Sequence, residues 1–429
     1  MNILVITRGS WNINNNTGNT LQKIFYNFKK CNIYNLYMQD EKPNNSCSRS
    51  NFKISEKELI ENWFSGKETG EIYDNNDFYL KNVEEVPEKK LYKFAKIFKL
   101  NILWFIREII WSRGHWKSKN LNKFLEDTNP DIIFMPLFGC WYPYKVLEYI
   151  NRRTKAKIVL YHVDDVYSCK QYHISPLYWI YRFILRKWIK KIVKMSSINY
   201  CISDMQLHEY SKYFNKDFFL LHKDYKDDKL ALNKKAIEFP IKMVFTGNID
   251  YGRWKTLLKL GEAIDELNKN RMKAQLIIYS GSILTSKINR KIENISSIKY
   301  KGYISPNDIV RVQSEADILI HVESFKLRDL LEVRLSFSTK IIDYLNMKKP
   351  ILAIGPNNVA SIDYFIKNKI GFVICDENKI KSKLITLLNE ENIMKCQDKI
   401  ETFVMNKSQL EKKGSVLLYE NFNRLMKER

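Results

Sequence analysis

The chain has 429 residues, of which 45% are hydrophobic and 13% aromatic. That is enough to build more than one sizeable core, and it excludes a disordered chain. With 71 basic against 48 acidic residues the formal net charge is +23, a field that attracts nucleic acid, an anionic membrane surface or phosphorylated substrates.

In chain order, Asn2-Ile-Leu-Val-Ile-Thr7 opens as a short apolar run suited to a buried parallel strand. A polar loop at 12–19 holds Gly18, and a helical pattern follows at 20–28. This is the strand, loop and helix opening of a Rossmann-like unit. Residues 40–90 are polar and irregular, with Pro43, Gly66, Gly70 and Pro87, and no element is assigned there. Residues 89–117 read as a basic helix with Leu91, Phe94, Phe98, Ile102, Phe105 and Ile109 on one side, accompanied by Trp104, Trp111 and Trp116. Strands are expected at 131–135, 157–161 and 197–202, with helical patterns between them. One of these, 177–195, sets Arg182, Arg186, Lys190 and Lys194 among apolar residues. Basic amphipathic stretches of this kind suit an anionic interface, and they equally fit core-facing helices with solvated basic faces.

A charged stretch at 223–235 then breaks the apolar rhythm and reads as a linker. Beyond it strands are expected at 243–246, 275–280, within 298–304, and at 316–321, 350–354 and 371–374. Helices are expected at 254–267, from 306 behind a Ser305 cap, and at 340–346. Alternating strands and helices argue for parallel sheets in two halves of similar size.

Seven cysteines, at 31, 47, 140, 169, 201, 375 and 396, include no CxxC pair, and the six histidines include no HExxH. The pattern argues against a disulfide framework and a zinc site, so no metal is expected and reduced cytoplasmic thiols are the simplest reading. The opening residues do not form a secretory signal, and no run of about 18 apolar residues suggests a membrane span.

Two segments carry the chemistry. In Phe245-Thr-Gly-Asn-Ile-Asp-Tyr-Gly-Arg-Trp-Lys255 a glycine ends a strand and a helix follows. Glycine lets backbone approach a ligand, the helix start favours an anion, and Arg253 and Lys255 add charge for a diphosphate. A strand-to-helix turn needs a small residue in any case. In Ser338-Thr-Lys-Ile-Ile-Asp343 a lysine occupies the first turn of a helix, where a cation opposes the helix dipole. An incoming phosphate would resolve that conflict. Asp343, three residues on, suits the two vicinal hydroxyls of a ribose. A capped surface helix with an i,i+3 ion pair is the other reading.

The order Gly247-Asn248, Lys301-Gly-Tyr-Ile-Ser-Pro306, Ala316-Asp-Ile-Leu-Ile320, then Ser338-Thr-Lys with Asp343-Tyr-Leu and Lys349-Pro350 resembles the C-terminal domain of retaining GT-B glycosyltransferases, group 1 (family 4-like). The resemblance covers about residues 241–376. It implies an α/β chain of two Rossmann-like domains facing a central cleft. The expected boundaries are 1–225 for an acceptor-side domain, 226–240 for a linker, 241–400 for a nucleotide-sugar domain, and 401–429 for helices returning to the first domain.

It further implies that Gly247, Asn248 and Arg253 lie beside the diphosphate and that Gly302 and Tyr303 read the base. Ser338, Thr339 and Lys340 would meet the phosphates, and Asp343 the ribose. Two positions depart from the family pattern: Asn248 replaces the usual arginine, and Leu335 stands eight residues before Asp343 where a glutamate is usual. Glu323, Glu332 or Arg334 is then expected to take part of that role. In the N-terminal half Gly18, Asn19 and Thr20 match a flexible acceptor-side loop. His162 and Asp164 match the strand end at the cleft, though a satisfied core histidine is the favoured reading of His162 taken alone. The catalytic candidates are thus His162, Asp164 and Glu323.

The expected activity is transfer of a sugar from a UDP- or GDP-linked donor to a hydroxyl acceptor, in cell-surface polysaccharide or glycolipid synthesis, with no other cofactor. Expected partners are the donor, a glycan or lipid-linked acceptor, and an anionic membrane met by 89–117 and 177–195, with the protein cytoplasmic or peripheral at the inner face. Nucleic acid is not expected, because no recognition motif occurs. A nucleotide-sugar epimerase of the same fold and a non-catalytic scaffold subunit are the alternatives.

Overall fold

The computed structural model describes residues 1–74, 101–225, 238–410 and 413–428. The chain forms two compact units. The first comprises Met1–Cys169, His173–Leu221 and Gly414–Arg429; the second comprises Lys170–Tyr172 and His222–Lys413.

Unit 1 is built on an eight-stranded sheet of order β4-β3-β2-β1-β5-β6-β7-β8. Its strands are β1 (Asn2–Thr7), β2 (Asn32–Tyr37), β3 (Ser50–Lys53), β4 (Glu71–Asp74), β5 (Ile132–Pro136), β6 (Lys157–His162), β7 (Ile198–Cys201) and β8 (Phe219–Leu220). Every pairing is parallel except β3 with β4. Ile3, Leu4, Val5 and Ile6 are all fully buried, as a strand covered on both faces requires. The helices are α1 (Asn16–Phe25), α2 (Glu56–Ser65), α3 (Asn101–Arg113), α4 (Lys119–Thr128), α5 (Tyr142–Thr154), α6 (Pro176–Met195) and α7 (Asp204–Phe214).

Unit 2 has a six-stranded, all-parallel sheet of order β11-β10-β9-β12-β13-β14. The strands are β9 (Ile241–Thr246), β10 (Ala274–Tyr279), β11 (Ile298–Gly302), β12 (Ile318–Val322), β13 (Ile351–Ile354) and β14 (Phe372–Ile374). Around them lie α8 (Arg253–Leu267), α9 (Ser286–Glu293), α10 (Pro306–Ser314), α11 (Leu327–Val333), α12 (Lys340–Asn346), α13 (Ala360–Asn368), α14 (Ile380–Leu387) and α15 (Glu390–Leu410). Met243, Phe245, Leu276, Ile278, Ile318, Ile320 and Val322 form the centre of its core. The Ser305 cap is present, its side chain accepting from the Asp308 N–H. After β11 the chain crosses to the far side of β9, so the strand order reverses between β9 and β12. Open parallel sheets bind ligands at the carboxyl ends of the strands flanking such a reversal.

The structure corrects four readings. Gly18, Asn19 and Thr20 are not a loop: they lie in the first turns of α1. The Asn15 side chain accepts from the Gly18 N–H at 2.6 Å and caps the helix earlier than its apolar pattern suggests. A Cβ on Gly18 would stand 2.0 Å from the Asn12 carbonyl oxygen, so close backbone approach is what this glycine permits. The region left unassigned holds β3, α2 and β4, and Ser55 and Glu58 form a reciprocal capping box at the start of α2. In α3 the buried residues are Asn101, Glu108 and Trp111, while Ile102 and Ile109 of the expected apolar face are 48% and 50% exposed. The rest of that expected helix, 89–100, lies outside the described residues, as does 226–237 of the expected linker. Finally, residue 401 is no boundary. It falls inside α15, whose Ile393, Ile400 and Val404 are buried, and α15 belongs to unit 2.

The last helix, α16 (Gly414–Lys427), belongs to unit 1. Phe28 meets Tyr419 and Phe422 edge-on at 5.3 and 5.7 Å. The Asn421 amide donates to the Tyr200 hydroxyl at 2.6 Å, and the Asn27 amide to Ser415 Oγ at 2.9 Å.

Candidate functional site

At the strand reversal of unit 2, β9 runs into Gly247, whose φ of +142° few side chains tolerate. Lys340 is the first residue of α12 and reaches back to this turn. Its Nζ donates to the Thr246 carbonyl at 3.1 Å. A Cβ on Gly247 would stand 1.5 Å from that Nζ, so the lysine tip occupies the space of the missing side chain. Tyr344, one turn along α12, fixes the same strand end: the Thr246 N–H donates to its hydroxyl at 3.1 Å. The Lys340 ammonium is pulled down to about 8, first by burial and then by the nearby Arg253 guanidinium.

Arg253 opens α8 behind Gly252, which has a φ of +74°. A Cβ there would come within 2.2 Å of an Asp329 carboxylate oxygen and 2.5 Å of Ser324 Oγ. Arg253 grips Glu323 with two hydrogen bonds, Nε to Oε2 at 2.9 Å and Nη2 to Oε1 at 3.2 Å. Glu323 is 2% exposed and also accepts from Ser361 Oγ at 3.2 Å. His321 Nε2 lies 3.5 Å from Glu323 Oε1 without a hydrogen bond, and burial holds the imidazole near 4 and neutral. Asp343 pairs with Lys223 at 3.0 Å, not with Lys340. Arg253 and Lys223 therefore face carboxylates, whereas Lys340 faces a neutral carbonyl. A basic cluster of this kind can accept further negative charge at Lys340, which would raise its affinity for a proton.

The other expected residues of this unit stand nearby in the chain's turns. Asn248 is exposed, and its side-chain oxygen accepts from the Asp250 N–H and from Ser282 Oγ at 3.1 Å. Gly302, with φ of +73°, ends β11 and the Tyr303 ring is 66% exposed. Ser338 and Thr339 are half-buried before α12. Neither caps it with its side chain; the Ser338 carbonyl accepts from the Ile341 N–H at 2.9 Å.

Lys223, Tyr344, His321 and Ser361 were not expected at this site. Lys223 looks like part of a solvated charge run. Tyr344 lies one turn after Lys340 in the expected helix; His321 and Ser361 carry no local signal, because only the parallel pairing of β9 with β12 brings their elements to one edge.

In unit 1, His162 ends β6 and is fully buried. Its Nε2 is 3.3 Å from the Asn199 side-chain oxygen, and the Tyr210 and Phe218 rings pack against it. Burial drives the imidazole down to about 3, so it is neutral. Asp164 is exposed, and its carbonyl accepts from the Gln206 amide at 3.0 Å. Asp165 is buried and accepts from the Ser168 N–H at 2.9 Å and the Tyr210 hydroxyl at 3.1 Å. The strand reversal of this unit lies between β1 and β5, not at β6. Beside that reversal, Glu108 accepts from the Trp141 N–H at 2.8 Å and the Tyr181 hydroxyl at 3.0 Å, and burial pushes its carboxyl up to about 7. Among the described residues, no group of three or more His, Cys, Asp or Glu is placed to hold a metal ion.

No protein-family model matches the sequence, and no curated protein matches it. Solved structures do match. An α,α-trehalose-phosphate synthase (UDP-forming) from Burkholderia xenovorans, in complex with glucose-6-phosphate, superposes with a TM-score of 0.59 at 9% identity over 99% of this chain and 100% of its own. WaaG, a glycosyltransferase involved in lipopolysaccharide biosynthesis, gives 0.57 at 9% identity over 99% of both chains. The chain adopts the GT-B fold. S. aureus TarM, in a complex with fondaparinux, α-GlcNAc-glycerol and UDP, gives 0.52 at 15% identity over 72% of this chain. This chain spans 59% of the length of that TarM chain.

Proposed function

We propose that this GT-B chain is a glycosyltransferase that moves a sugar from a nucleoside diphosphate sugar to a hydroxyl of a glycan or lipid-linked acceptor. One observation carries the reading: the half-buried Lys340 ammonium sits in the side-chain space of Gly247, at the strand reversal, facing only a neutral carbonyl. A diphosphate would meet this charge directly, where the nearby carboxylates of Glu323 and Asp343 are paired with Arg253 and Lys223. Arg253 and Lys340 then offset the charge that develops on the departing diphosphate. Glu323, buried in a two-pronged pair with Arg253, acts as a positioning residue. Asp343 exchanges Lys223 for the ribose hydroxyls, and Gly302 and Tyr303 frame the base. The UDP in the TarM complex and the UDP-2-fluoro glucose named with an E. coli trehalose-6-phosphate structure favour UDP over GDP. Retention of anomeric configuration rests on the family resemblance.

A thermal-shift screen of nucleoside diphosphates tests the proposal. UDP or GDP raises the melting temperature of the native chain, and Lys340→Met and Asp343→Asn lose the increase. No shift with any nucleotide sinks the reading. Turnover of the donor sugar without acceptor favours an epimerase instead.

We further propose that the acceptor is met at an anionic membrane, with the chain peripheral at the cytoplasmic face. Among the described residues no helix is long and apolar enough to cross one. On α6, Leu177, Ile180 and Phe183 are 41–54% exposed, beside exposed Lys187, Lys190, Lys191 and Lys194. On α3, Ile102, Leu103, Ile106 and Ile109 are also exposed, and the two helices touch through Trp104 and Tyr181 at 5.2 Å. Apolar side chains ringed by lysines suit a shallow seat in anionic headgroups. Co-sedimentation with anionic vesicles that fails at high salt supports this; equal binding to neutral vesicles, or none, refutes it.

A further inference from the structure

Unit 2 carries a second concave site. A cavity of about 690 Å³ opens between α8, α9 and the loop after β12, a size that suits a small ligand. None of Gly247, Asn248, Arg253, Gly302, Tyr303, Ser338, Thr339, Lys340 and Asp343 lines it; Lys255, read above beside the diphosphate turn, does, so the variants below leave it in place. Five lysines do, Lys255, Lys259, Lys287, Lys291 and Lys326, against two glutamates, Glu262 and Glu377. Glu377 is already held by Lys259 at 2.7 Å, which leaves the remaining charge strongly positive. At one end stand Lys255 and Lys326. Burial and then the Lys326 neighbour pull the Lys255 ammonium below its usual range, although Asp329 lies 3.7 Å away. Two like charges held together are costly without an anion between them. The Trp254 indole stands in the wall, with Lys255 and Lys291 Nζ at 5.3 and 5.8 Å from a ring centroid. Thr285 adds a hydroxyl to the rim.

We propose that this cavity binds an acidic sugar chain, one bearing carboxylate or phosphate groups. The lysines pair with its charges, the Trp254 ring covers the apolar face of one sugar, and Thr285 bonds one of its hydroxyls. A single-stranded nucleic acid would call for a groove with successive aromatic platforms. Here the cavity wall holds two rings, Trp254 and Phe325, both packed partly against the unit 2 core, and no run of successive platforms.

Calorimetric titration of the full chain tests this with three probes: a short oligogalacturonate, a neutral glucan of equal length, and a single-stranded oligonucleotide of equal charge. The oligogalacturonate binds, and binding weakens as salt rises. The triple variant Lys287→Gln, Lys291→Gln, Lys326→Gln changes only exposed side chains and loses about tenfold in affinity or more. Trp254→Ala weakens binding as well, and both variants keep the native response to nucleoside diphosphates. Equal binding of the neutral glucan, tighter binding of the oligonucleotide, or no binding by the native chain overturns the proposal. So does unchanged affinity in the triple variant.

Discussion

The Lys340 ammonium fills the position that a Gly247 side chain would take, 1.5 Å from where its Cβ would lie. Two segments nearly a hundred residues apart in sequence are thereby made dependent on each other. The glycine is there for the lysine as much as for any ligand.

Gly247→Ala therefore has two consequences. The new methyl group expels Lys340 from its seat, and the φ of +142° strains any L side chain, at a cost of about 1–3 kcal/mol. Nucleotide binding is lost along with part of the stability. Chemical denaturation together with the UDP thermal shift checks this. Unaltered nucleotide response in a folded Gly247→Ala chain would separate Lys340 from the donor.

Lys340 sets a pH signature. Its ammonium titrates near 8 in the free chain, and a bound diphosphate raises that value. Binding above pH 8 then takes up a proton, so affinity falls as pH rises through 8 and beyond. Stability moves the other way. The unfolded chain keeps its proton up to about 10.4, so between 8 and that value it holds more protons than the folded chain, and stability rises with pH. Titrations in two buffers of different ionisation enthalpy measure the uptake, and Lys340→Met abolishes it.

His162 behaves as a core residue under acid. Its imidazole is neutral down to about 3, while in the unfolded chain it takes a proton near 6.5. The unfolded state thus binds more protons over that window, and stability falls as pH drops below 6.5, by up to about 1.4 kcal/mol per pH unit. His162→Gln flattens this acid slope in urea denaturation. His321, neutral down to about 4, adds a second term of the same sign. A turnover profile that tracks a group near 6.5 and vanishes in His162→Gln would instead return His162 to the reacting residues.

Much of unit 2 was legible in the sequence, because its strands are continuous apolar runs punctuated by turn residues. The helix at 340–346 is found with the expected bounds, and its misplaced lysine was the clearest sign of a special site. What failed has specific causes. The buried side of α3 carries Asn101 and Glu108, and Glu108 is made tolerable by a partner distant in sequence, Tyr181, so periodicity pointed to a different face. Gly18 looked like loop because its helix start depends on the Asn15 cap. The capping box of Ser55 and Glu58 is a local signal, masked by the polar residues around it. The pairing of Asp343 with Lys223 was beyond local reasoning, since it joins an apparent linker to a helix on the far side of the fold's sequence.

Helix α16 also sets an order of assembly. Phe28 and Phe134 of unit 1 are covered by Phe422, a residue that the ribosome delivers only after all of unit 2 has been made. During synthesis the first sheet waits with an apolar flank uncovered. A fragment ending at Leu221 would keep that flank permanently, and would be prone to aggregate.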